Sequence, residues 1–292
     1  MSDGAKGVLA MVGAATIWGL SPLFYALLSH VPPLEILAHR TIWSLVTFAG
    51  LLALQRRLPE LPRAVATPRL FLLTAAAAAM ISVNWFLFIF AVGVGRTVEA
   101  SLGYYIFPLV AVAIGALVLR ERLRTGQKVA VAMAATAVLV LTLGLGAAPW
   151  ISLILATTFG IYGLLKRWVA AGPVVSVTAE VLLFLPLAAG FLGWLAATRG
   201  LDYSANDMAL FVLSGPMTAV PLMLFSIAAK RARMATVGLI QYLNPTLQFL
   251  CAVLILNEVV TLWHMIAFPI IWAALTVYSV ASLRAAPRPA RP

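Results

Sequence analysis

The sequence has 292 residues, of which 63% are hydrophobic and 10% are charged, with a mean hydropathy of +1.03 and a formal net charge of +11. So few polar side chains cannot cover a water-exposed surface, and the composition therefore excludes a soluble globular protein. The excess of Lys and Arg does not indicate a nucleic-acid binder, because these residues lie in short runs between apolar stretches.

A helix that crosses a membrane needs about 20 mostly apolar residues. The chain contains ten such runs with short connections, which leave no room for a soluble domain. Their continuous apolar character excludes the alternating pattern of a β-barrel. We therefore predict an all-α integral membrane protein with ten transmembrane helices, named spans 1 to 10. The predicted spans are 7–29, 34–54, 70–92, 97–119, 127–145, 149–168, 174–197, 209–229, 235–256 and 262–283.

The basic residues lie mainly on one side of the predicted spans. If the N-terminus is cytoplasmic, seventeen of the 20 Lys and Arg residues fall on the cytoplasmic side, whereas Arg96 and Arg199 fall outside. Arg40 lies within span 2. Because loops rich in Lys and Arg stay in the cytoplasm, the sequence predicts a multi-pass inner-membrane protein with both termini cytoplasmic.

Two segments, one in each half of the chain, match each other without a gap. Ser101–Pro108 reads SLGYYIFP, and Gly238–Pro245 reads GLIQYLNP. Thirteen residues after each proline comes a glutamate, Glu121 in the first half and Glu258 in the second. The offset of 137 residues is the same for the tyrosine, the proline and the glutamate. This match indicates an internal repeat.

The repeat has a geometric consequence. Each copy holds five spans, and an odd number forces the two copies to enter the membrane from opposite sides. We predict two inverted-topology five-helix repeats, residues 1–146 and 147–292, that enclose a cavity near the membrane midplane.

Ionisable residues inside spans are candidates for function, because a charge at a helix centre costs about 2.5–3.5 kcal/mol on insertion scales. Arg40 lies roughly 10 Å deep in span 2, next to His39. We predict that Arg40 binds a substrate carboxylate and that His39 or Glu180 carries a coupling proton. The alternative is a structural ion pair between Arg40 and Glu99, which lies at the start of span 4.

The two matching prolines lie within spans 4 and 9, where each removes a backbone donor. We predict that Pro108 and Pro245 kink these helices symmetrically; a packing kink without motion is the alternative. The polar residues around them are predicted to line the cavity, with a helix interface as the alternative. They are Tyr104, Tyr105, Gln241, Tyr242 and Asn244.

Four further residues in the spans are predicted to line the cavity. Trp18 and Tyr162 occupy matching positions in spans 1 and 6, away from the interfacial belts where membrane aromatics concentrate. Asn84 and Trp85 in span 3 form a second, weaker pair of candidates. These residues complete the predicted substrate site.

Other classes of function lack their sequence signatures. No Gly-rich phosphate loop of the Walker type is present, and the three histidines do not show the spacing of metal ligands. No acid–base or nucleophile motif of a membrane enzyme appears. We predict no cofactor, no metal and no catalytic residue.

Around its matched motifs the chain resembles the EamA family of the drug/metabolite transporter superfamily. The paired Tyr-x-x-Pro segments carry the resemblance, and Glu35–Ser44, Asn84–Ile89 and Glu99–Tyr104 resemble its RarD branch. The resemblance covers essentially the whole chain. It implies a ten-helix exporter of amino acids, metabolites or drug-like compounds with a central cavity.

The functional expectation is therefore a secondary transporter that works by alternating access. Its partners are a small-molecule substrate and membrane lipid, with protons as the candidate coupling ion and no nucleic acid. A passive facilitator or channel for small solutes is the alternative.

Overall fold

The computed structural model describes residues 3–118, 120, 123–146, 148–169, 171–232 and 234–285. Nine helical segments in these ranges are long and apolar enough to cross a membrane, and a tenth, span 6, is an apolar helix of 17 residues. The prediction of an all-α membrane protein is confirmed. Spans 1 to 8 are Asp3–Ala26, Pro33–Leu54, Pro68–Gly93, Thr97–Val118, Thr125–Leu145, Trp150–Lys166, Pro173–Thr198 and Ala205–Arg231. Span 9 comprises Met234–Gln241, Leu243–Leu250 and the π-helical Cys251–Ile255, and span 10 is Leu262–Ala285.

Local sequence explains where several spans begin. Proline occupies the first turn of spans 2, 3 and 7, at Pro33, Pro68 and Pro173, where a missing N–H needs no partner. Span 8 begins with a capping box, in which the Ser204 hydroxyl accepts a hydrogen bond from the Asp207 backbone N–H at 3.1 Å. These starts fix how deep each following side chain lies in the membrane.

The two matched prolines have different surroundings. Span 4 continues as α-helix through Pro108, whereas span 9 is interrupted at Tyr242, three residues before Pro245. Beyond Pro245, span 9 ends in the π-helical segment Cys251–Ile255, which is the kind of local irregularity that often marks functional helices. The helix interruption therefore occurs in one of the two matched helices.

The packing between spans follows a pseudo-two-fold pattern. The contact between spans 1 and 8 corresponds to the contact between spans 6 and 3. In the same way, the contact between spans 4 and 6 corresponds to the contact between spans 9 and 1. The contact of spans 2 and 8 likewise has a counterpart in spans 7 and 3. Each of these three contacts has a counterpart five spans further along the chain, a pattern consistent with the predicted inverted repeat. The division at residue 146 stays a prediction.

Spans 4 and 9 run antiparallel. The Tyr105 hydroxyl lies 2.7 Å from the Thr246 hydroxyl, in the middle of both spans. At the start of span 4, the backbone N–H of Thr97 donates to Glu258, which follows span 9. Residue numbers thus rise along one helix as they fall along the other. We call the membrane face where span 1 begins the terminal face, and the opposite face, which carries Glu258, the far face.

Glycine allows the spans that bear the candidate site to approach closely. A Cβ atom placed on Gly215 of span 8 would lie 2.3 Å from the backbone oxygen of Trp43 in span 2. The backbones of spans 2 and 8 therefore touch there, as small residues permit in membrane helices. This contact brings Thr218, about one turn beyond Gly215, towards span 2.

Candidate functional site

Arg40 lies among the aromatic side chains of three other spans. It is 7% exposed, and its Nε donates a hydrogen bond of 3.2 Å to the Thr218 hydroxyl in span 8. Its guanidinium carbon lies 4.0 Å from the centre of the Trp85 ring in span 3 and 5.8 Å from that of Tyr25 in span 1. Tyr104 of span 4 lies next to them, because its hydroxyl donates a 2.8 Å hydrogen bond to Asn84, the neighbour of Trp85. We define the Arg40 box as Arg40, Thr218, Trp85, Tyr25 and Tyr104.

No described Asp or Glu oxygen lies within 4.0 Å of the Arg40 guanidinium. The expected alternative, an ion pair between Arg40 and Glu99, is wrong. Glu99 instead accepts a 2.8 Å hydrogen bond from the Nε of Arg96, the residue just before span 4 and three positions before Glu99 in the chain. This local partner neutralises Glu99 at the far face, and Arg40 therefore remains a buried cation without a described counter-ion.

His39 lies beside the Arg40 box. Its ring stacks on Phe211 at a centroid distance of 4.0 Å and meets the edge of Tyr203 at 5.1 Å. Its Nε2 is buried and has no hydrogen-bond partner in the described structure. Because successive helical residues point about 100° apart, His39 packs on aromatic rings next to the box.

Tyr203, in the loop before span 8, packs on His39 from the far face of the membrane. Its hydroxyl donates a 2.6 Å hydrogen bond to Glu35, which also forms an ion pair with Arg199. Burial, followed by the bond to Glu35, raises the pKa of the Tyr203 hydroxyl above its usual value. A cavity of about 250 Å³ lies over this cluster and is lined by Glu35, Arg199 and Tyr203 among others.

Asn84, the neighbour of Trp85, is a polar junction of three spans. Its side-chain nitrogen donates to the Leu155 carbonyl at 2.9 Å and to the Thr158 hydroxyl at 3.1 Å. Its side-chain oxygen accepts from the Tyr104 hydroxyl at 2.8 Å. Asn84 therefore fixes the Tyr104 ring at the wall of the Arg40 box.

Glu180 belongs to a separate cluster near the terminal face. It is 1% exposed and accepts hydrogen bonds from Lys166 Nζ at 2.5 Å, from the Ser176 hydroxyl at 3.0 Å and from the Tyr162 hydroxyl at 3.1 Å. The predicted cavity residue Tyr162 thus serves as a partner of Glu180. Trp18, its counterpart in span 1, packs 6.2 Å from Phe225 of span 8.

The predicted cavity residues of spans 4 and 9 face other neighbours. The Tyr105 ring packs against Trp272 of span 10, and Tyr242 joins the same apolar cluster. Asn244 accepts a 3.0 Å hydrogen bond from Gln248, and its backbone lies against span 1. The side-chain oxygen of Gln241 is buried without a described partner.

Glu258 has a clear structural role, whereas Glu121 lies outside the described residues. The two carboxylate oxygens of Glu258 accept hydrogen bonds of 2.7 and 2.8 Å from the backbone N–H groups of Thr97 and Val98. A carboxylate at a helix N-terminus satisfies unpaired donors and complements the helix dipole. Glu258 thereby joins the two halves of the chain at the far face.

Five of the predicted residues come together in or beside the box: Arg40, Trp85, Tyr104, Asn84 and His39. Sequence reasoning missed Tyr25 and Thr218. The sequence held one signal for each of these residues. Tyr25 follows the predicted residue Trp18 by seven positions, or about two helical turns, and therefore lies on the same face of span 1. Thr218 follows Ser214 by four residues on the same helix face. The box brings together a cation, hydroxyl groups and aromatic faces.

Comparison with known proteins identifies the family. A model of the EamA-like transporter family matches residues 5–143. Protein RarD of Streptomyces exfoliatus is 44% identical over 286 residues, which cover 97% of this chain and 90% of that protein. A protein named "Uncharacterized transporter" from Vibrio cholerae serotype O1 is 41% identical over 286 residues, covering 97% of this chain and 95% of the relative.

The fold also recurs in a solved structure. A crystal structure of a protein that is 19% identical to this chain has a TM-score of 0.62, covering 95% of this chain and 97% of that chain. The sequence matches extend over nearly the whole length of the relatives, and the helical architecture agrees with them. This chain belongs to the EamA-like transporter family, in its RarD branch, and is a multi-pass membrane transporter and not an enzyme.

Proposed function

We propose that this transporter exports small metabolites, amino acids or drug-like compounds across the inner membrane by alternating access, with the Arg40 box as its substrate site. The observation that carries the proposal is a buried guanidinium without a described counter-ion, held by spans 1 to 4 of the first half and span 8 of the second. A charge placed between two halves that move relative to each other is suited to binding and release.

The far face supports alternating access, because polar contacts between the two halves close it. Glu258 caps span 4 from the opposite half, and Glu35 of span 2 bonds to Arg199 and Tyr203 after span 7. Both contacts must break for the halves to part at that face. In the proposed cycle, these contacts close the far face while the site opens towards the terminal face.

Orientation and coupling complete the proposal. The excess of loop Lys and Arg supports a cytoplasmic terminal face, and in the proposed direction substrate enters the box from the cytoplasm and leaves at the far face. Glu180 is the proposed site of the coupling proton, because it is buried beside the cation Lys166, which protonation of Glu180 would release. A passive facilitator is the alternative.

The test is counterflow of radiolabelled metabolites, amino acids and drug-like compounds into vesicles that contain the purified protein. We expect saturable flux that Arg40→Gln lowers by about 10- to 100-fold, because charged hydrogen bonds to substrate are lost. The control is Arg69→Gln, an exposed cation at the start of span 3. Flux that is equal in both variants would remove the Arg40 box from the proposal, and single-channel conductance would establish the channel alternative.

Coupling is tested on the same vesicles with an imposed pH gradient. A proton-coupled transporter loses the dependence of its flux on the gradient in Glu180→Gln, whereas a facilitator shows no such dependence in the wild type. Glu60→Gln, a change on the same face outside the spans, serves as the matched control.

A further inference from the structure

The carboxylates of the described spans each have a cationic or basic partner within the protein. This leaves Arg40 as a buried cation whose described neighbours are neutral. The neighbours that hold it are Thr218, Trp85, Tyr25 and Tyr104. The partnered carboxylates are Asp3 with Lys6 and Arg231, Glu35 with Arg199, Glu99 with Arg96, Glu180 with Lys166, and Asp207 with His30.

The geometry of the guanidinium limits what can bind it. One face lies on the Trp85 ring, and the Nε donor is used by Thr218. The two terminal nitrogens have no hydrogen-bond partner among the described residues, and they lie in one plane as a two-pronged donor. A planar carboxylate accepts two parallel hydrogen bonds from such an edge, and one guanidinium balances one negative charge.

The walls of the box select against a second charge. Tyr25, Trp85 and Tyr104 present aromatic rings, which favour an apolar and flat partner. The ammonium group of an amino acid would lie here without a described carboxylate to pair with, and burying an unpaired charge is costly. An amino-acid zwitterion therefore fits the box less well than an anion of the same shape.

We propose that the substrates of this transporter are monocarboxylate anions with a flat apolar body and no ammonium group, bound through a two-pronged contact with Arg40. This inference rests on the proposed function, because it assigns the Arg40 box as the substrate site. It narrows the substrate class from metabolites in general to organic anions, and it excludes amino acids.

The experiment measures binding to the purified protein by thermal shift and calorimetry with four probes that each carry a phenyl ring and differ in charge. Phenylacetate is the anion, phenylacetamide the neutral analogue, phenethylammonium the cation and phenylalanine the zwitterion. A ligand that binds the folded state raises the midpoint of unfolding with concentration by mass action. We expect phenylacetate alone to raise the midpoint strongly.

Variants of the box residues test whether phenylacetate binds at Arg40. Arg40→Gln is expected to weaken phenylacetate binding by about 10- to 100-fold, while Arg69→Gln leaves it unchanged. Arg40→Lys keeps the charge but loses the planar donor edge, and we expect it to bind with intermediate affinity. Trp85→Leu keeps Arg40 and removes the flat wall, which provides a second test if Arg40→Gln does not fold.

The proposal fails if phenylacetamide, phenethylammonium or phenylalanine binds as tightly as phenylacetate, or if no probe binds. It also fails if Arg40→Gln binds phenylacetate like the wild type. Saturable flux of neutral compounds with an unaltered Arg40→Gln variant would reject the anion class while leaving a transporter. Binding of phenylacetate without any flux would instead reject the transport mechanism and leave the anion site.

Discussion

Arg40 and Glu180 occupy equivalent places in the two halves of the chain, yet their surroundings are opposite. Each lies seven residues after the proline that begins its span, Pro33 in span 2 and Pro173 in span 7. Each is buried, at 7% and 1% exposure. Glu180 has three polar partners, including the cation Lys166, whereas Arg40 has one neutral hydroxyl and aromatic rings.

The difference separates two uses of a buried charge. A buried ion whose partners are all supplied by the protein is neutral overall, and it ties its helices together at little net gain. A buried ion without a counter-ion keeps much of its desolvation cost, which a bound ligand of opposite charge can offset. Under our proposal, the same helix position binds substrate in one half, whereas in the other half it carries a carboxylate that the protein itself pairs with a cation.

The largest effect is expected from breaking the Glu180 cluster. Lys166→Met leaves the Glu180 carboxylate buried without its cation, and removing one partner of a buried pair costs about 3–5 kcal/mol. The double variant Lys166→Met/Glu180→Gln should recover most of this loss, because no unpaired charge remains. Unfolding in mild detergent, followed by the change in helical circular dichroism, measures both. A single variant as stable as the wild type would mean that Glu180 does not depend on Lys166.

The next effect concerns a neutral polar group in the other half. Asn84→Leu removes hydrogen bonds to Leu155, Thr158 and Tyr104 and leaves the buried Tyr104 hydroxyl without its described partner, at a cost of about 1–3 kcal/mol. Because Tyr104 also loses its anchor, phenylacetate binding should weaken in the same variant. The outcome that contradicts this role is full stability together with unchanged binding. Tyr104→Phe, which removes the hydroxyl alone, is the matched control.

Removing the charge of Arg40 should not lower the stability of the protein, in contrast to removing the charge of Lys166. Arg40→Met removes a buried charge that has no described counter-ion, so we expect the ligand-free protein to be as stable as the wild type or up to about 2 kcal/mol more stable. The cation–π contact with Trp85 and the bond to Thr218 oppose this gain. The same unfolding experiment applies. A loss comparable to that of Lys166→Met would show that Arg40 is a structural cation.

Much of the fold followed from the sequence, since runs of apolar residues and proline-marked starts locate helices without any tertiary information. The residues of the Arg40 box could be predicted from the sequence only in part. Asn84 and Trp85 were found because polar and indole groups stand out within an apolar run. Tyr25 and Thr218 were missed because their roles depend on which helix faces meet, and that is set by the close contact at Gly215.

The error over Glu99 has a simple physical origin. The sequence suggested a partner in another span, but Arg96, the residue just before span 4, lies three positions from Glu99 in the chain. A partner only three residues away needs no particular packing of helices, so it pairs with Glu99 more readily than a residue of another span does. The break at Tyr242 was also missed, because the same tyrosine and proline pattern in span 4 leaves the helix continuous.

The smallest effect is expected where a pair lies in water. Arg57 and Glu60, in the loop after span 2, form a two-pronged ion pair with side chains 39% exposed, and the hydrogen bond from Arg57 lowers the pKa of Glu60. A lowered pKa means that this contribution is present above the unfolded pKa and is lost as pH falls through the folded pKa.

Water and salt screen such a pair, so Glu60→Gln should shift the unfolding midpoint at neutral pH too little to measure. The measurement is unfolding of the wild type and Glu60→Gln side by side at neutral pH and at pH 3. If Glu60→Gln destabilised the protein as much as Lys166→Met, burial would not be what makes the Glu180 pair sensitive. The opposite effects expected for the Lys166 and Arg40 variants would then need another cause, because both expectations depend on the high cost of an unpaired charge in the membrane interior.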